Sequence, residues 1–134
     1  MRLLLDTHCW LWHLAEPVRL GTTARAAIAD DENEIFLSAA SVWEIVTKHA
    51  IGKLRLPEPP ETYVRTRQIA TSIRSLPITD EHALRVSALP SLHRDPFDRI
   101  IIAQALVEGL TFVTADHIAA SYDVPLLWAG HGQP

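Results

Sequence analysis

Leu3-Leu4-Leu5 is a short, unbroken apolar run that ends at an acid, Asp6. Such a run fits a strand buried on both faces, although its period alone leaves the start of a helix open. Three more segments carry the β-branched and aromatic content of strands: Ile35-Phe36-Leu37, Thr111-Phe112-Val113-Thr114 and Val124-Pro125-Leu126-Leu127-Trp128. Pro125 suits a strand start or an edge. Between these segments, apolar positions recur at helical spacing over Thr22 to Ala29, Val42 to Ala50, Glu61 to Ile73, Glu81 to Leu89 and Phe97 to Val107. The alternation predicts an α/β fold, with a parallel sheet and helices on its faces. Pro57-Glu58-Pro59-Pro60 is a loop signal, too short for a domain linker. With no repeat or low-complexity segment, residues 1–134 read as one domain, and the tail from about 129 to 134 is expected to fray.

Composition narrows the class. The chain has 134 residues, 48% of them hydrophobic, enough for one core without disulfide or metal staples. A formal net charge of −4 argues against a generally basic nucleic-acid coat but leaves a local basic patch open. Cys9 is the only cysteine, so an intrachain disulfide and a cysteine zinc cluster are both excluded, and a reducing compartment fits. The apolar stretch from Ile100 to Leu110 is interrupted by Gln104, Glu108 and Gly109 and is too short to span a bilayer. Asp6 comes too soon for a signal-peptide apolar region. The expectation is a cytoplasmic protein with no membrane contact.

In a parallel α/β sheet, ligands gather beyond the carboxyl ends of the strands. Asp6 directly follows the first strand, Asp116 follows the Phe112 strand, and Glu44 falls in the first helical turn after the Ile35 strand. Asp98 opens a helix, and only the tertiary fold decides whether it reaches the same crevice. Each acid also has an ordinary reading. Ser41 to Glu44 matches a capping box. Asp95-Pro96-Phe97-Asp98 places Asp95 as N-cap, Pro96 at the first helical position and Asp98 where the helix dipole favours an anion. Asp6 and Asp116 can each simply begin a loop.

Two carboxylates about 4 Å apart at an effective dielectric near 20 repel by roughly 4 kcal/mol, so four together need a cation or bound protons. An all-oxygen site without thiolates suits Mg²⁺ or Mn²⁺ and can support in-line attack of water on a phosphodiester.

Four blocks carry a resemblance: Leu-Leu-Leu-Asp-Thr-His at the start, Ser-Ala-Ala-Ser-Val-Trp-Glu-Ile over 38–45, His93-Arg94-Asp95-Pro96-Phe97-Asp98-Arg99 running into Ile102-Ala103-Gln104-Ala105, and Val113-Thr114-Ala115-Asp116. In order and over nearly the whole chain, they resemble the PIN domain, and most closely the VapC-type toxins of bacterial toxin–antitoxin pairs. The resemblance implies a three-layer α/β/α fold with a mainly parallel sheet, Mg²⁺ or Mn²⁺ dependence, RNA cleavage and a cognate antitoxin. It puts the four acids on Asp6, Glu44, Asp98 and Asp116, with Thr7 and Thr114 as supporting hydroxyls and Asp95 as a cap. Asp6 and Asp98 are the first choices for ligands, while Glu44 and Asp116 either ligate or handle the attacking water.

Arg74, Arg94 and Arg99, with Arg65 and Arg67, are candidates for phosphate contacts, against the alternative of solvated helix faces. Among seven histidines none forms the i, i+4 pair of a zinc helix, so structural roles are expected, with His8 beside Asp6 the exception. Trp10, Trp12, Trp43 and Trp128 exceed the needs of a small core and suggest an interface to a second copy, giving a homodimer, or to an antitoxin, with ordinary core packing as the alternative for Trp43 and Trp128. Two other functions remain as alternatives. A phosphatase of the haloacid-dehalogenase type would want an acid at position 8, where His8 stands, and a receiver would want a lysine at the end of a late strand. The second alternative is a PIN-like domain that binds RNA or protein without catalysis.

Overall fold

The architecture, a computed structural model describing residues 1–134, is built on a five-stranded parallel sheet. Its strands are β1 (Arg2–Leu5), β2 (Glu34–Ser38), β3 (Arg74–Leu76), β4 (Thr111–Thr114) and β5 (Leu126–Trp128), in the order β3-β2-β1-β4-β5. The helices are α1 (Thr7–Ala15), α2 (Thr22–Ala29), α3 (Ala39–Ala50), α4 (Pro60–Thr71), α5 (Asp80–Arg85), α6 (Pro96–Glu108) and α7 (His117–Ala120). β1 pairs with β2 on one side and β4 on the other, aligning Leu5 with both Leu37 and Val113. The chain reverses its direction of winding at β1, which opens a crevice at the carboxyl ends of β1 and β4.

The unbroken apolar runs follow from burial on both faces. Leu3, Leu5, Ile35, Leu37 and Val113 pack with Cys9 and Trp10 of α1, Ala24 and Ile28 of α2, Ile45 of α3 and Val64 of α4. Leu4, Phe36 and Phe112 point the other way, onto Ile101, Ile102 and Ala105 of α6 and Ala119 of α7. This is the three-layer α/β/α arrangement. Burying each large apolar side chain contributes about 1.5–3 kcal/mol.

Several boundaries differ from the sequence reading. α3 begins at Ala39 because Ser38, the last residue of β2, caps it by accepting the Ala40 N–H. Ser41 is therefore inside the first turn and Glu44 in the second, so the Ser41–Glu44 capping box does not form. α1 has no separate helical signature in the sequence because Cys9-Trp10-Leu11-Trp12 is apolar on nearly every side. Strand β3 is a three-residue edge with two exposed residues, which leaves no apolar alternation to read. The helix expected from Glu81 to Leu89 ends at Arg85 and continues as a 3-10 turn over Val86–Ala88.

Within the carboxyl-terminal stretch, Ala129 and His131 make hydrogen bonds to the body of the domain. Ala129 is fully buried; its N–H donates to the Thr114 carbonyl and its own carbonyl accepts the Gly21 N–H, both at 2.8 Å. The His131 ring nitrogen reaches the Val18 carbonyl at 2.8 Å. Position 21 must be glycine for this approach, because a Cβ there would lie 2.5 Å from the Gly130 carbonyl oxygen.

Candidate active site

Asp6, Glu44, Asp98 and Asp116 line one cavity of about 550 Å³ at the carboxyl ends of β1, β2 and β4. Asp6 is the N-cap of α1: its Oδ1 accepts the Thr7 N–H at 2.9 Å, and its Oδ2 accepts the Thr114 hydroxyl at 2.7 Å. The side chains of α1 and α3 meet through Thr7, whose Oγ1 donates to Glu44 Oε1 at 2.6 Å and lies 2.8 Å from the Ser41 hydroxyl. Both threonines implied by the resemblance thus hold acids of the pocket.

Glu44 is almost fully buried, and Lys48, one helical turn on, is ion-paired to its Oε2. Partial burial would lower the Lys48 ammonium, but the hydrogen bond and charge of Glu44 outweigh it and hold the group above its ordinary value. α3 is fixed against α6 by the edge-on contact of Trp43 with Phe97, with ring centroids 5.0 Å apart. The Ser38 hydroxyl adds a hydrogen bond to Gln104 of α6. These two ties join α3 and its N-cap to α6.

Asp98 lies in the first turn of α6, behind Pro96 and the N-cap Asp95, which accepts the Phe97 N–H at 2.9 Å. Asp95 thus has the capping role expected of it and also lines the cavity. Asp98 is both helix-start residue and pocket acid, so the dipole reading and the site reading are compatible. The same holds for Asp116, whose Oδ1 caps α7 through the Ile118 and Ala119 amides at 2.8 and 3.4 Å. Its Oδ2 is left to face the pocket, 2.8 Å from His93 Nε2.

The acids differ in proton affinity. Burial raises Asp6, against the opposing pull of His8 and the hydrogen bonds from Thr114 and Thr7. Asp98 is pushed up to about 9, first by burial and then by the charges of Asp6, Asp95, Glu44 and Asp116. Burial also acts to raise Asp116, but hydrogen bonds from His93, Ile118 and Ala119 prevail and hold it below the usual carboxyl value. The protein alone therefore leaves a proton on Asp98, where an added positive charge would displace it. An all-oxygen set of carboxylates with this unmet need for positive charge fits a hard divalent cation.

His8, the histidine singled out beside Asp6, accepts the Ala115 N–H on Nε2 at 3.1 Å, and its Nδ1 lies 3.7 Å from Asp6 Oδ2. His93 sits deeper in the acid cluster, within 3.0 Å of Asp98 Oδ2 as well as 2.8 Å of Asp116. The sequence reading groups it with the structural histidines; its signal there is its place at the head of the His93 to Arg99 block.

None of the arginines expected at phosphate contacts is among the residues lining the cavity. Arg74 pairs with Glu34 at 3.2 Å, toward the amino ends of the strands and away from the cavity. Arg99 is committed to the Pro90 and Val86 carbonyls and the Tyr122 hydroxyl. Arg94 is exposed between two residues that line the cavity. Arg65 pairs with Glu61, and Arg67 with Glu58 over the Tyr63 ring. The cations that do line the cavity are Arg19, Lys48, Lys53 and Arg55. Gly52, at φ +76°, turns the chain so that the Lys53 and Leu54 amides fold back onto the Lys48 carbonyl, which brings Lys53 and Arg55 to the wall. The Glu44 to Lys48 spacing is readable in sequence, whereas the return of the loop is not.

Known proteins match this chain over most of its length. The family model described as "PIN domain" matches residues 3–125. Ribonuclease VapC22 of Mycobacterium tuberculosis (strain ATCC 25618 / H37Rv) is 34% identical over 123 residues, covering 91% of this chain and 92% of that protein. Among solved structures, VapBC2 from Rickettsia felis, bound to a DNA fragment from its promoter, superposes with a TM-score of 0.72 at 14% identity, over 96% of this chain and 99% of that one. A toxin–antitoxin complex from Klebsiella pneumoniae superposes with a TM-score of 0.62 at 19% identity, over 93% and 95%. At these identities the structures show a shared fold.

Proposed function

The chain belongs to the PIN-domain family, and from that premise we propose that it is a divalent-metal-dependent endoribonuclease acting as the toxin of a toxin–antitoxin pair. The observation that carries the reading is the meeting of four carboxylates, delivered by β1, α3, α6 and the end of β4, in a cavity whose wall also holds four cationic side chains. A relative named as a ribonuclease supports the choice of RNA.

Asp6 and Asp98 are assigned to hold Mg²⁺ or Mn²⁺, with Glu44 and Asp116 able to complete the set. When bound, the cation polarises water toward ionisation and neutralises charge on the phosphodiester during in-line attack. Thr7 and Thr114 orient Glu44 and Asp6 through the hydrogen bonds described above. Asp116, held ionised by its donors, and Glu44 are the groups available to receive the proton of the attacking water. Lys53, Arg55 and Arg19 are assigned to the RNA backbone, since phosphate contacts position a strand without reading its sequence. Lys48, which lines the same cavity, is joined to the acids by its pair with Glu44.

The partners follow from apolar surface. Leu11, Trp12, Leu54, Leu56 and Pro57 are apolar residues lining the same cavity, and we assign them to contact with a segment of a cognate antitoxin. Trp43 and Val46 are exposed on α3, and we assign that face to a second copy of the chain. No helix is long and apolar enough to cross a membrane, and a cytoplasmic location is part of the same reading.

The test uses purified protein and single-stranded RNA. Cleavage with Mg²⁺ or Mn²⁺, its loss with a chelator, and its loss in a folded Asp6→Asn variant are the expected results. Equal cleavage by the variant would assign the activity to a contaminant.

A further inference from the structure

His93 lies at the centre of the acid cluster, and its hydrogen bonds determine which ring nitrogen carries the proton. Nδ1 accepts the backbone N–H of Asp95 at 3.1 Å and so has no proton of its own. In the neutral ring the proton is then on Nε2, which points at Asp116 Oδ2 at 2.8 Å and Asp98 Oδ2 at 3.0 Å. One N–H thus bridges two carboxylates. The nitrogen has no lone pair to offer a cation, although a ligand atom from each of His93, Asp98 and Asp116 falls within 4.8 Å of the others. The rest of the residue is held as firmly: the His93 N–H donates to the Tyr122 hydroxyl at 2.9 Å, and Arg99 donates to the same oxygen at 3.1 Å.

We propose that His93 is a positioning residue, an Nε2–H donor that holds Asp98 and Asp116 side by side for the divalent cation without ligating it. The inference rests on the reading of the pocket as a cation site. It gives a role to every polar member of the His93-Arg94-Asp95-Pro96-Phe97-Asp98-Arg99 block except Arg94. Asp95 sets the tautomer with its amide and caps the helix, and Arg99 steadies Tyr122. A donor shared by Asp98 and Asp116 keeps their other oxygens in a fixed relation. Partners that orient ligands in this way typically contribute about 10- to 100-fold in metal affinity.

Mn²⁺ binding is measured by calorimetry on the full chain, with folding of each variant checked by circular dichroism. His93→Ala is expected to weaken Mn²⁺ by about 10- to 100-fold, whereas His93→Gln, whose amide N–H reaches toward the same carboxylates, retains most of the affinity. In parallel, long-range ¹H–¹⁵N spectra of histidine-labelled protein are followed during Mg²⁺ addition, with the His93 signals identified by their loss in His93→Gln. The Nε2-protonated pattern is expected to persist at saturation. Loss of that pattern on adding Mg²⁺, or a Gln variant as weak as Ala, would make His93 a ligand and overturn the proposal. Unchanged Mn²⁺ affinity in a folded Ala variant would reduce it to a structural residue and overturn the proposal alone. Failure of the wild-type protein to bind Mn²⁺ at all would remove the cation reading and the proposal together.

Discussion

The Thr114 hydroxyl donates to Asp6 Oδ2 at 2.7 Å, joining residues 108 positions apart at the adjacent ends of β1 and β4. Thr114 Oγ1 also accepts the Asp116 N–H at 3.0 Å. One side chain therefore fixes two of the four acids relative to each other. Thr114→Val keeps the shape and removes both bonds. The variant is expected to lose about 1–3 kcal/mol, the cost of leaving buried polar groups unpaired, and about 10- to 100-fold in cleavage, while Thr114→Ser recovers most of both. Denaturant unfolding and RNA cleavage rates provide the check.

Asp98 gives the cation-free protein a pH dependence of known sign. Its carboxyl is raised to about 9 in the folded state, whereas the unfolded chain releases that proton near pH 4. The folded state therefore holds more protons between these values, and stability falls as pH rises through the window, with the loss complete above the folded value. Asp98→Asn removes the penalty. In chelator at pH 8 it should melt at least about 3 °C above wild type, with the difference vanishing near pH 4. Adding Mn²⁺ should raise the wild-type melting temperature and leave Asp98→Asn nearly unmoved.

The same proton competes with the cation. Mn²⁺ affinity of the wild-type protein should rise with pH across the neutral range by up to about tenfold per unit, the behaviour of a ligand that must first be deprotonated. Calorimetry in buffers of different ionisation enthalpy should register close to one proton released per Mn²⁺ bound. A flat profile would mean that Asp98 is already ionised without metal.

Lys53 and Arg55 approach the cavity wall from the loop that follows α3. Their replacement by alanine, in an Asp6→Asn background that leaves RNA intact, should weaken binding of single strands regardless of sequence. The slope of log affinity against log salt should fall by about 0.7 for each phosphate no longer neutralised. Arg74→Ala and Arg99→Ala should leave that slope unchanged, because Arg74 lies toward the amino ends of the strands and Arg99 is held by Pro90, Val86 and Tyr122.

Trp43 is 63% exposed although it packs edge-on to Phe97. If α3 carries the contact to a second copy, Trp43→Glu should shift a dimer to monomer in sedimentation velocity while the melting temperature changes by only a few degrees. An unchanged dimer would move the interface to another face.

How far the site is legible in sequence varies from residue to residue. Asp6 and Asp116 can be located because each follows a strand directly, and in a parallel sheet the strand end is also the ligand end. Glu44 reads one turn too early, since Ser41 makes a better-looking cap in the sequence than Ser38, and only the hydrogen bond from the Ala40 amide shows that Ser38 has that role. Arg74 and Arg99 look equivalent to Lys53 and Arg55 as charges. Which of them faces the cavity depends on strand register and on the left-handed turn at Gly52, neither of which is a local property of the charged residue.

The sequence by itself determined the strand–helix alternation, the apolar run Leu3-Leu4-Leu5, the helix start at Asp95-Pro96 and the strand-end places of Asp6 and Asp116, because periodicity and capping act over a few neighbouring residues, whereas Glu44 and Asp98 are singled out by the resemblance to PIN domains. Tertiary structure decided the rest. It brought His93 between Asp98 and Asp116, joined Thr114 to Asp6, tied α3 to α6 through Trp43 and Phe97, and lifted Asp98 far above an ordinary carboxyl. Those features depend on distance and burial between segments remote along the chain, and packing sets both.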